Sequence, residues 1–238
     1  MVSGPLLVVG ATGVVGGGIV AAGLASGRKV IAAGRNEARL AALAARHGGA
    51  ALQCVTGNLS SKVNAGALLD RATDCFGPVG AVVVSVSAAK RNAPLDDWSA
   101  DELMEAYAGD VISHFNAAQT FLPRLGDAGM YIAIGGGTAD FLFPALVPVS
   151  MAQAALRMMY RGFTKERKSG AQLHELMIVS MVAGESNRQV APADWITDIE
   201  VGRHVCAILD DPDRFPKPIL QLRSRQQVGL PEDDAVKA

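Results

Sequence analysis

The sequence predicts an α/β protein, a doubly wound parallel sheet of about seven strands with helices on both faces. Short β-rich apolar runs alternate with longer stretches of alanine and leucine at helical spacing, which is typical of a parallel sheet wrapped by helices. Residues 82–84 are all valine, as expected when both faces of a strand are covered. The first apolar run leads directly into a glycine-rich turn and a helical stretch.

The elements follow one another without a repeat or a linker, so the 238 residues predict one domain over residues 1–225. Predicted strands are 6–9, 30–33, 51–55, 81–86, 130–134, 176–181 and 218–222. Predicted helices are 16–27, 36–47, 61–75, 99–122, 149–168 and 198–210. The polar, charged segment 226–238 is expected to be a loose tail.

Composition excludes several classes of partner. With 22 basic and 23 acidic side chains the net charge is −1, which gives no positive field for nucleic acid or an anionic membrane, so a small-molecule substrate is expected. Cys54, Cys75 and Cys206 are odd in number and far apart, which argues against a disulfide framework or a metal site and favours the cytoplasm. No charged segment followed by an apolar stretch opens the sequence, so a signal peptide is not expected. The most apolar segment, 141–160, is interrupted by two prolines, so a membrane span is not expected.

The strongest functional motif is the G-x-x-G-x-x-G turn that follows the first strand and opens the first helix. Glycines at this spacing allow a tight turn and a close approach of a pyrophosphate, and the helix N-terminus offers free N–H groups to the phosphates. The alternative is a turn that serves packing alone. The candidate cofactor-binding residues of this turn are Gly10, Thr12, Gly13, Val14, Val15 and Gly16.

The end of the second strand bears on the choice of cofactor. It reads Gly34-Arg35-Asn36 and lacks the acidic residue that would accept hydrogen bonds from a free ribose 2′-hydroxyl. The Arg35 guanidinium matches a 2′-phosphate in charge and geometry, so NADP(H) is favoured over NAD(H). The alternative is a solvated arginine in a turn.

Further motifs give a resemblance to a known family. With the glycine turn, Gly34-Arg35, Asn58-Leu59-Ser60 after the third strand and Phe121-Leu122-Pro123-Arg124 at the end of the long helix, residues 4–222 resemble the short-chain dehydrogenase/reductase family. The resemblance implies a Rossmann-type fold that binds a nicotinamide cofactor at the carboxyl ends of the strands. It adds as candidate cofactor contacts Asn58, Leu59, Ser85, Val86, Ser87, Gln153 and Gly184.

The family carries a catalytic tetrad of asparagine, serine, tyrosine and lysine. Ala154-Ala155-Leu156 is similar to the tripeptide that follows the family's lysine, which assigns Gln153 to the lysine and Val149 to the tyrosine. Thirteen residues earlier Gly136 stands at the serine, and thirteen residues before Pro123 Asp110 stands at the asparagine. The resemblance therefore implies an atypical member that lacks the tetrad.

Replacement groups are available on the long helix and in the loops. Asp110 and His114 are four residues apart, so they share a helix face and are a candidate acid–base pair. The alternative is a helix–helix hydrogen bond at a subunit contact. Further candidates, each with a structural alternative, are Ser87, Lys90 and Arg91 after the fourth strand and Thr138 and Asp140 after the fifth. Tyr107, Tyr131 and Tyr160 lie away from the tyrosine position and are expected to pack in the core or an interface.

Two functions fit these observations. The first is an NADP(H)-dependent oxidoreductase for a small carbonyl or alcohol compound with a non-standard proton donor, or a derived isomerase, dehydratase or cyclase. The second is a non-catalytic NADP(H) redox sensor. Residues 184–197, with Val190 and Trp195, are predicted to form a substrate lid. Helices 99–122 and 149–168 are the faces expected to pair in a homodimer or homotetramer.

Overall fold

A computed structural model describes residues 1–88, 90–167, 169–185 and 187–232. Its strands are β1 (Leu6–Val9), β2 (Val30–Gly34), β3 (Leu52–Thr56), β4 (Ala81–Val84), β5 (Met130–Gly136), β6 (Gln172–Ile178), β7 (Val182–Ala183), β8 (Ile196–Thr197) and β9 (Ile219–Leu222). Seven of them form one parallel sheet in the order β3-β2-β1-β4-β5-β6-β9, and β7 and β8 form a small parallel pair.

Helices connect the parallel strands and cover both faces of the sheet, as crossover connections require. They are α1 (Val14–Ala25), α2 (Glu37–His47), α3 (Lys62–Phe76), α4 (Ala100–Tyr107), α5 (Ser113–Phe121), α6 (Val147–Glu166) and α7 (Asp198–Asp210). Helices α1, α2 and α7 pack on one face, and α3, α5 and α6 pack on the other. The predicted seven-stranded, doubly wound α/β fold is confirmed.

The core has two layers because successive strand residues point to opposite faces. In β1, Leu7 and Val9 pack against the α3, α5 and α6 side, whereas Leu6 and Val8 pack against the α1, α2 and α7 side. All four are buried. The unbroken apolar runs in the sequence therefore follow from burial on both faces of the sheet.

Most elements differ from their predicted bounds by one or two residues, and β6 and the helix predicted over 99–122 differ more. Strand β6 begins at Gln172 rather than at 176, because the polar pair His174 and Glu175 lies inside the buried strand. The predicted helix 99–122 is interrupted by a π-helical turn, Ala108–Ile112, between α4 and α5. Strand β4 ends at Val84 instead of residue 86.

The described part of the polar tail is anchored to the domain. Gln227 is 4% exposed, its Nε2 donates to the Gln221 carbonyl at 2.5 Å, and its Oε1 accepts from the Arg223 N–H at 2.9 Å. Order therefore extends past the predicted boundary at residue 226, and residues 233–238 lie outside the described residues. Among the described helices, none has the length and apolar character needed to cross a membrane.

Candidate cofactor and active site

The glycine turn brings three backbone segments into close contact. Gly10 has φ +86°, and a Cβ there would lie 2.0 Å from the Ser85 carbonyl oxygen. A Cβ on Gly16 would lie 2.1 Å from the Gly10 carbonyl oxygen. Both positions therefore require glycine, and the turn holds α1 tightly against the ends of β1 and β4.

The N-terminus of α1 is left open by its own sequence. Its N-cap, Gly13, provides no side-chain cap, and the first turn, which includes Val14 and Val15, contains no acidic residue. By contrast, α2 and α3 are capped by the side chains of Asn36 and Ser61. No side-chain cap or acidic residue of the first turn therefore occupies the first N–H groups of α1. The positive end of the helix dipole is available to an anion such as a pyrophosphate.

Arginines flank this turn at the end of β2. Arg35 is exposed directly after Gly34. Arg39, a residue that the sequence analysis missed, donates from its guanidinium to the Thr12 carbonyl at 3.1 Å. The Arg39 guanidinium therefore borders the turn, Arg35 is exposed at the end of β2, and the side chain of Asn36 caps α2.

The segment after β3 is fixed by its own hydrogen bonds. The Asn58 Oδ1 accepts from the N–H and the hydroxyl of Ser60 and from the Asn64 amide, at 2.7 to 3.1 Å. Leu59 is buried, and its carbonyl accepts from the Asn116 amide at 2.9 Å. The oxygen of Asn58 is therefore engaged in shaping the turn.

Asp110 and His114 both hold the loop that follows β4. The Asp110 carboxylate accepts from the Ala88 N–H at 2.7 Å, and the His114 Nε2 lies 3.1 Å from the Val86 carbonyl. Among the described contacts the two side chains make no hydrogen bond to each other. These two bonds hold the segment that contains Ser85, Val86 and Ser87. Asp110, which makes the bond to Ala88, lies in the π-helical turn.

Three buried side chains form a directed hydrogen-bond chain. Burial lowers the pKa of His114 to about 4, so its imidazole is neutral. Because a carbonyl only accepts, His114 donates from Nε2 to Val86, and its Nδ1 accepts from the Tyr160 hydroxyl at 2.8 Å. Tyr160 in turn accepts from the Tyr131 hydroxyl at 3.3 Å. These tyrosines lie in the core, as expected, and link β5, α6 and α5.

The residues assigned to the tetrad serine and lysine meet at the end of β5. The Gln153 side-chain oxygen accepts from the Gly136 N–H at 2.6 Å. It lies 3.5 Å from the place that a Cβ on Gly136 would take. This bond engages the amide oxygen, so the Gln153 NH₂ group is a donor that makes no hydrogen bond among the described residues. Val149 lies one turn earlier on α6 and is partly buried.

Glu175 of β6 is the second residue that the sequence analysis missed. It is 1% exposed, and its Oε2 is without a hydrogen-bond partner among the described residues. Its Oε1 lies 2.4 Å from the place that a Cβ on Gly135 would take. Burial raises its pKa to about 8, an effect that nearby Arg157 opposes.

Several predicted loop candidates are bound elsewhere. The Arg91 guanidinium pairs with Glu102 at 2.8 Å and lies over the Trp98 ring at 5.2 Å. Asp140 forms an ion pair with Arg157. The remaining candidates are placed as follows: Lys90 is exposed after β4, Thr138 is partly buried after β5, and Tyr107 packs against the core.

The predicted lid begins and ends at the small pair β7 and β8. The Gly184 N–H donates to the Asn187 side chain at 2.7 Å, and a Cβ on Gly184 would lie 2.4 Å from the Val14 side chain. Val190 is largely exposed and Trp195 is partly buried. Ser186, within this segment, lies outside the described residues.

The fold and this site define a doubly wound α/β protein with a phosphate-binding type of glycine turn at its first helix. Residues 5–183 match the model of the short chain dehydrogenase family. The chain therefore belongs to the short-chain dehydrogenase family. No curated protein matches the chain.

Solved structures share the fold at low sequence identity. An NADH complex of 3-ketoacyl-(acyl-carrier-protein) reductase from Brucella melitensis has a TM-score of 0.80 at 14% identity, over 92% of this chain and 95% of that chain. An alcohol dehydrogenase from Thermococcus sibiricus, complexed with 5-hydroxy-NADP, has 0.79 at 18%, over 92% and 96%. An NADPH-bound short chain oxidoreductase from Pseudomonas aeruginosa, which contains an atypical catalytic centre, has 0.73 at 18%, over 86% and 89%.

Proposed function

We propose that this protein is an NADP(H)-dependent oxidoreductase that acts on a small carbonyl or alcohol compound. The observation that carries the proposal is the uncapped N-terminus of α1 at the Gly10–Gly16 turn, which the Arg39 guanidinium borders, with Arg35 exposed at the end of β2. When bound, the nicotinamide supplies or accepts the hydride. The bound 5-hydroxy-NADP and NADPH of two similar structures support this choice of cofactor, and the NADH of the third supports the competing cofactor NAD(H).

Three groups of residues at the edge of the sheet would bind different parts of the cofactor. The α1 N–H groups would hold the pyrophosphate, and Arg35 and Arg39 would hold the 2′-phosphate beside Thr12. Asn58 and Leu59 would border the adenine. The nicotinamide side would be lined by Ser85, Val86, Ser87, Gln153 and Gly184.

The Arg35 assignment is tested by comparing NADPH and NADH binding in titration calorimetry. NADPH is expected to bind more tightly, and Arg35→Ala should weaken NADPH alone by roughly 10- to 100-fold, as for a lost charge-assisted hydrogen bond. Arg203→Ala, on the exposed side of α7, is the matched control. Equal affinities in the wild type, or equal losses of both cofactors in Arg35→Ala, would contradict the assignment.

The alignment of this sequence with the family's tetrad positions further supports a non-standard active site. Under it, Gly136 and Val149 carry no group that exchanges a proton, and Gln153 offers a neutral NH₂ donor to a ligand. The atypical centre of the Pseudomonas aeruginosa oxidoreductase is compatible with such a site on this fold. Asp110 and His114 would act by holding the loop after β4.

A non-catalytic NADP(H) redox sensor is the alternative, favoured by the missing proton-exchanging groups at Gly136 and Val149. A derived isomerase, dehydratase or cyclase is a third possibility. A hydride-transfer assay with C4-deuterated NADPH and a panel of carbonyl compounds separates the oxidoreductase from the sensor, and product analysis of the same panel for isomers, dehydrated or cyclised compounds detects the third function. Stereospecific deuterium transfer supports the oxidoreductase, whereas tight NADPH binding without transfer to any compound supports the sensor.

We also propose that the chain forms a homodimer or homotetramer in the cytoplasm. Apolar side chains are exposed on the helices that were expected to pair, among them Ile112, Met151 and Met158. Phe115 of α5 and Phe163 of α6 lie 6.1 Å apart, ring to ring, and join the two helices into one apolar surface. Light scattering at micromolar concentration tests this, and a monomer mass would contradict it.

A further inference from the structure

Glu175 is a buried carboxyl group for which the family resemblance gives no role. It lies on β6 beneath α6 and is 1% exposed. Its Oε2 is a buried atom without a partner in the described part of the chain. Buried polar atoms are nearly always hydrogen-bonded, so an unpartnered one requires an explanation.

The carboxyl group points toward the edge of the sheet where ligands bind. The Glu175 backbone lies opposite Ala133 in the register of β5 and β6. Its Oε1, however, is beside Gly135, two residues nearer the carboxyl end of β5. Open α/β sheets bind ligands beyond that end.

Two glycines make room for groups from neighbouring elements. A side chain at Gly135 would collide with the Glu175 carboxyl, and the place of a Cβ at Gly136 faces the Gln153 amide at 3.5 Å. A carboxyl from β6 and an amide from α6 thus converge on the segment that the resemblance assigns to the catalytic serine. The same segment is therefore polar although its own residues have no side chains.

The charges around Glu175 suit a group that holds a proton and then releases it. Burial raises its pKa to about 8, so the acid is neutral at neutral pH. The ionisable groups that face it are Arg157 and Tyr160 of α6 and Asp140 of the loop after β5. Arg157 favours the ionised form, and it is held over the loop by Asp140 and by the Ala139 carbonyl at 3.3 Å.

We propose that Glu175 is the proton donor of this active site, in place of the tyrosine whose position Val149 occupies. The proposal rests on the proposed oxidoreductase function. In carbonyl reduction, the substrate carbon gains a hydride from reduced nicotinamide and the C=O π bond breaks. The substrate oxygen then takes the Glu175 proton, which leaves an alcohol, an oxidised nicotinamide and a carboxylate stabilised by Arg157. Solvent returns the proton.

The test compares the wild type with Glu175→Gln, Glu175→Asp and the exposed control Glu105→Gln. Single-turnover carbonyl reduction by NADPH is measured across pH. Glu175→Gln should lower the rate by roughly 100-fold or more, the scale of general acid catalysis, with NADPH affinity unchanged. The wild-type rate should fall as pH rises through about 8, and this fall should be absent in Glu175→Gln. Glu175→Asp, which shortens the acid, should restore part of the rate.

A second measurement does not depend on turnover or on the variants' activity. Infrared difference spectra of ¹³C-glutamate-labelled wild type should show a protonated carboxyl band at neutral pH that disappears at alkaline pH and is missing in Glu175→Gln. A carboxylate at neutral pH overturns the proposal. So does an active wild type whose Glu175→Gln variant keeps the same rate and pH profile. A wild type that reduces no carbonyl compound overturns the oxidoreductase function as well.

Discussion

Replacing Glu175 by glutamine is expected to stabilise the fold, and by more as the pH rises. The folded chain keeps the Glu175 proton up to a pKa of about 8, whereas the unfolded chain releases it near 4.5. Between these values the unfolded state binds fewer protons than the folded state, so the wild type loses stability as the pH increases. The stability that Glu175 contributes to the wild type is fully present below pH 4.5 and is lost by about pH 8. Glutamine does not titrate, so the variant avoids this loss.

The size of the effect follows from the two pKa values. Each pH unit inside the window costs the wild type about 1.4 kcal/mol. From about pH 5.5 to 7.5 the advantage of Glu175→Gln should therefore grow by about 3 kcal/mol. Domains are stable by about 5–15 kcal/mol, so this is a large fraction of the total.

Urea unfolding at three pH values inside the window measures the effect. The free-energy difference between Glu175→Gln and the wild type is compared at each pH, with equal m-values as the check on two-state behaviour. Glu105→Gln, the same change on the exposed surface of α4, controls for the substitution itself. A difference that stays constant across the three pH values would refute the reasoning that Glu175 is buried as the neutral acid.

Two further predictions concern packing and acid sensitivity. Gly18→Ala should lower the free energy of unfolding in urea by roughly 1–3 kcal/mol, because a Cβ on Gly18 would lie 2.0 Å from the Asp198 carbonyl oxygen, where α1 packs on α7. Gly17→Ala is the control and should not destabilise the fold, because the nearest neighbour of its Cβ lies at 3.6 Å. In the Glu175→Gln background, the free energy of unfolding should fall by roughly 2–3 kcal/mol from about pH 6 to 5. Burial lowers the pKa of His114 and His204 to about 4 from 6.5, and it also lowers the pKa of His174, so the unfolded state takes up protons that the folded state excludes. A flat profile would contradict this.

The sequence predicted the sheet because its information is local and periodic. Apolar runs marked β1, β4 and β5, and the glycine turn placed the start of α1 within two residues. The prediction was wrong at the start of β6, where His174 and Glu175 interrupt the apolar pattern inside a strand that tertiary packing buries. The π-helical turn before α5 contains Asp110, which accepts from the N–H of Ala88, 22 residues earlier, and no local pattern contains that contact.

Glu175 could not be recognised as a site residue from the sequence for the same reason. In the sequence, Gly135 and Gly136 are recognisable only as the loss of side chains. The structure shows that the Glu175 carboxyl and the Gln153 amide occupy the adjacent space. That juxtaposition depends on the register of β5 against β6 and on the packing of α6, and neither is encoded in the spacing of the residues along the chain.

The same contacts rank the candidate proton donors. The proton of His114 is committed to the Val86 carbonyl, and its other nitrogen accepts from Tyr160. Burial also raises the pKa of Asp110, but the Ala88 N–H and the charge of Lys90 favour its ionised form. Glu175 receives no such hydrogen bond, so it holds its proton more firmly and that proton is not engaged in a described bond. Burial raises the pKa of both carboxyls, but only at Asp110 does a described hydrogen bond oppose the rise, and this favours Glu175 as the acid.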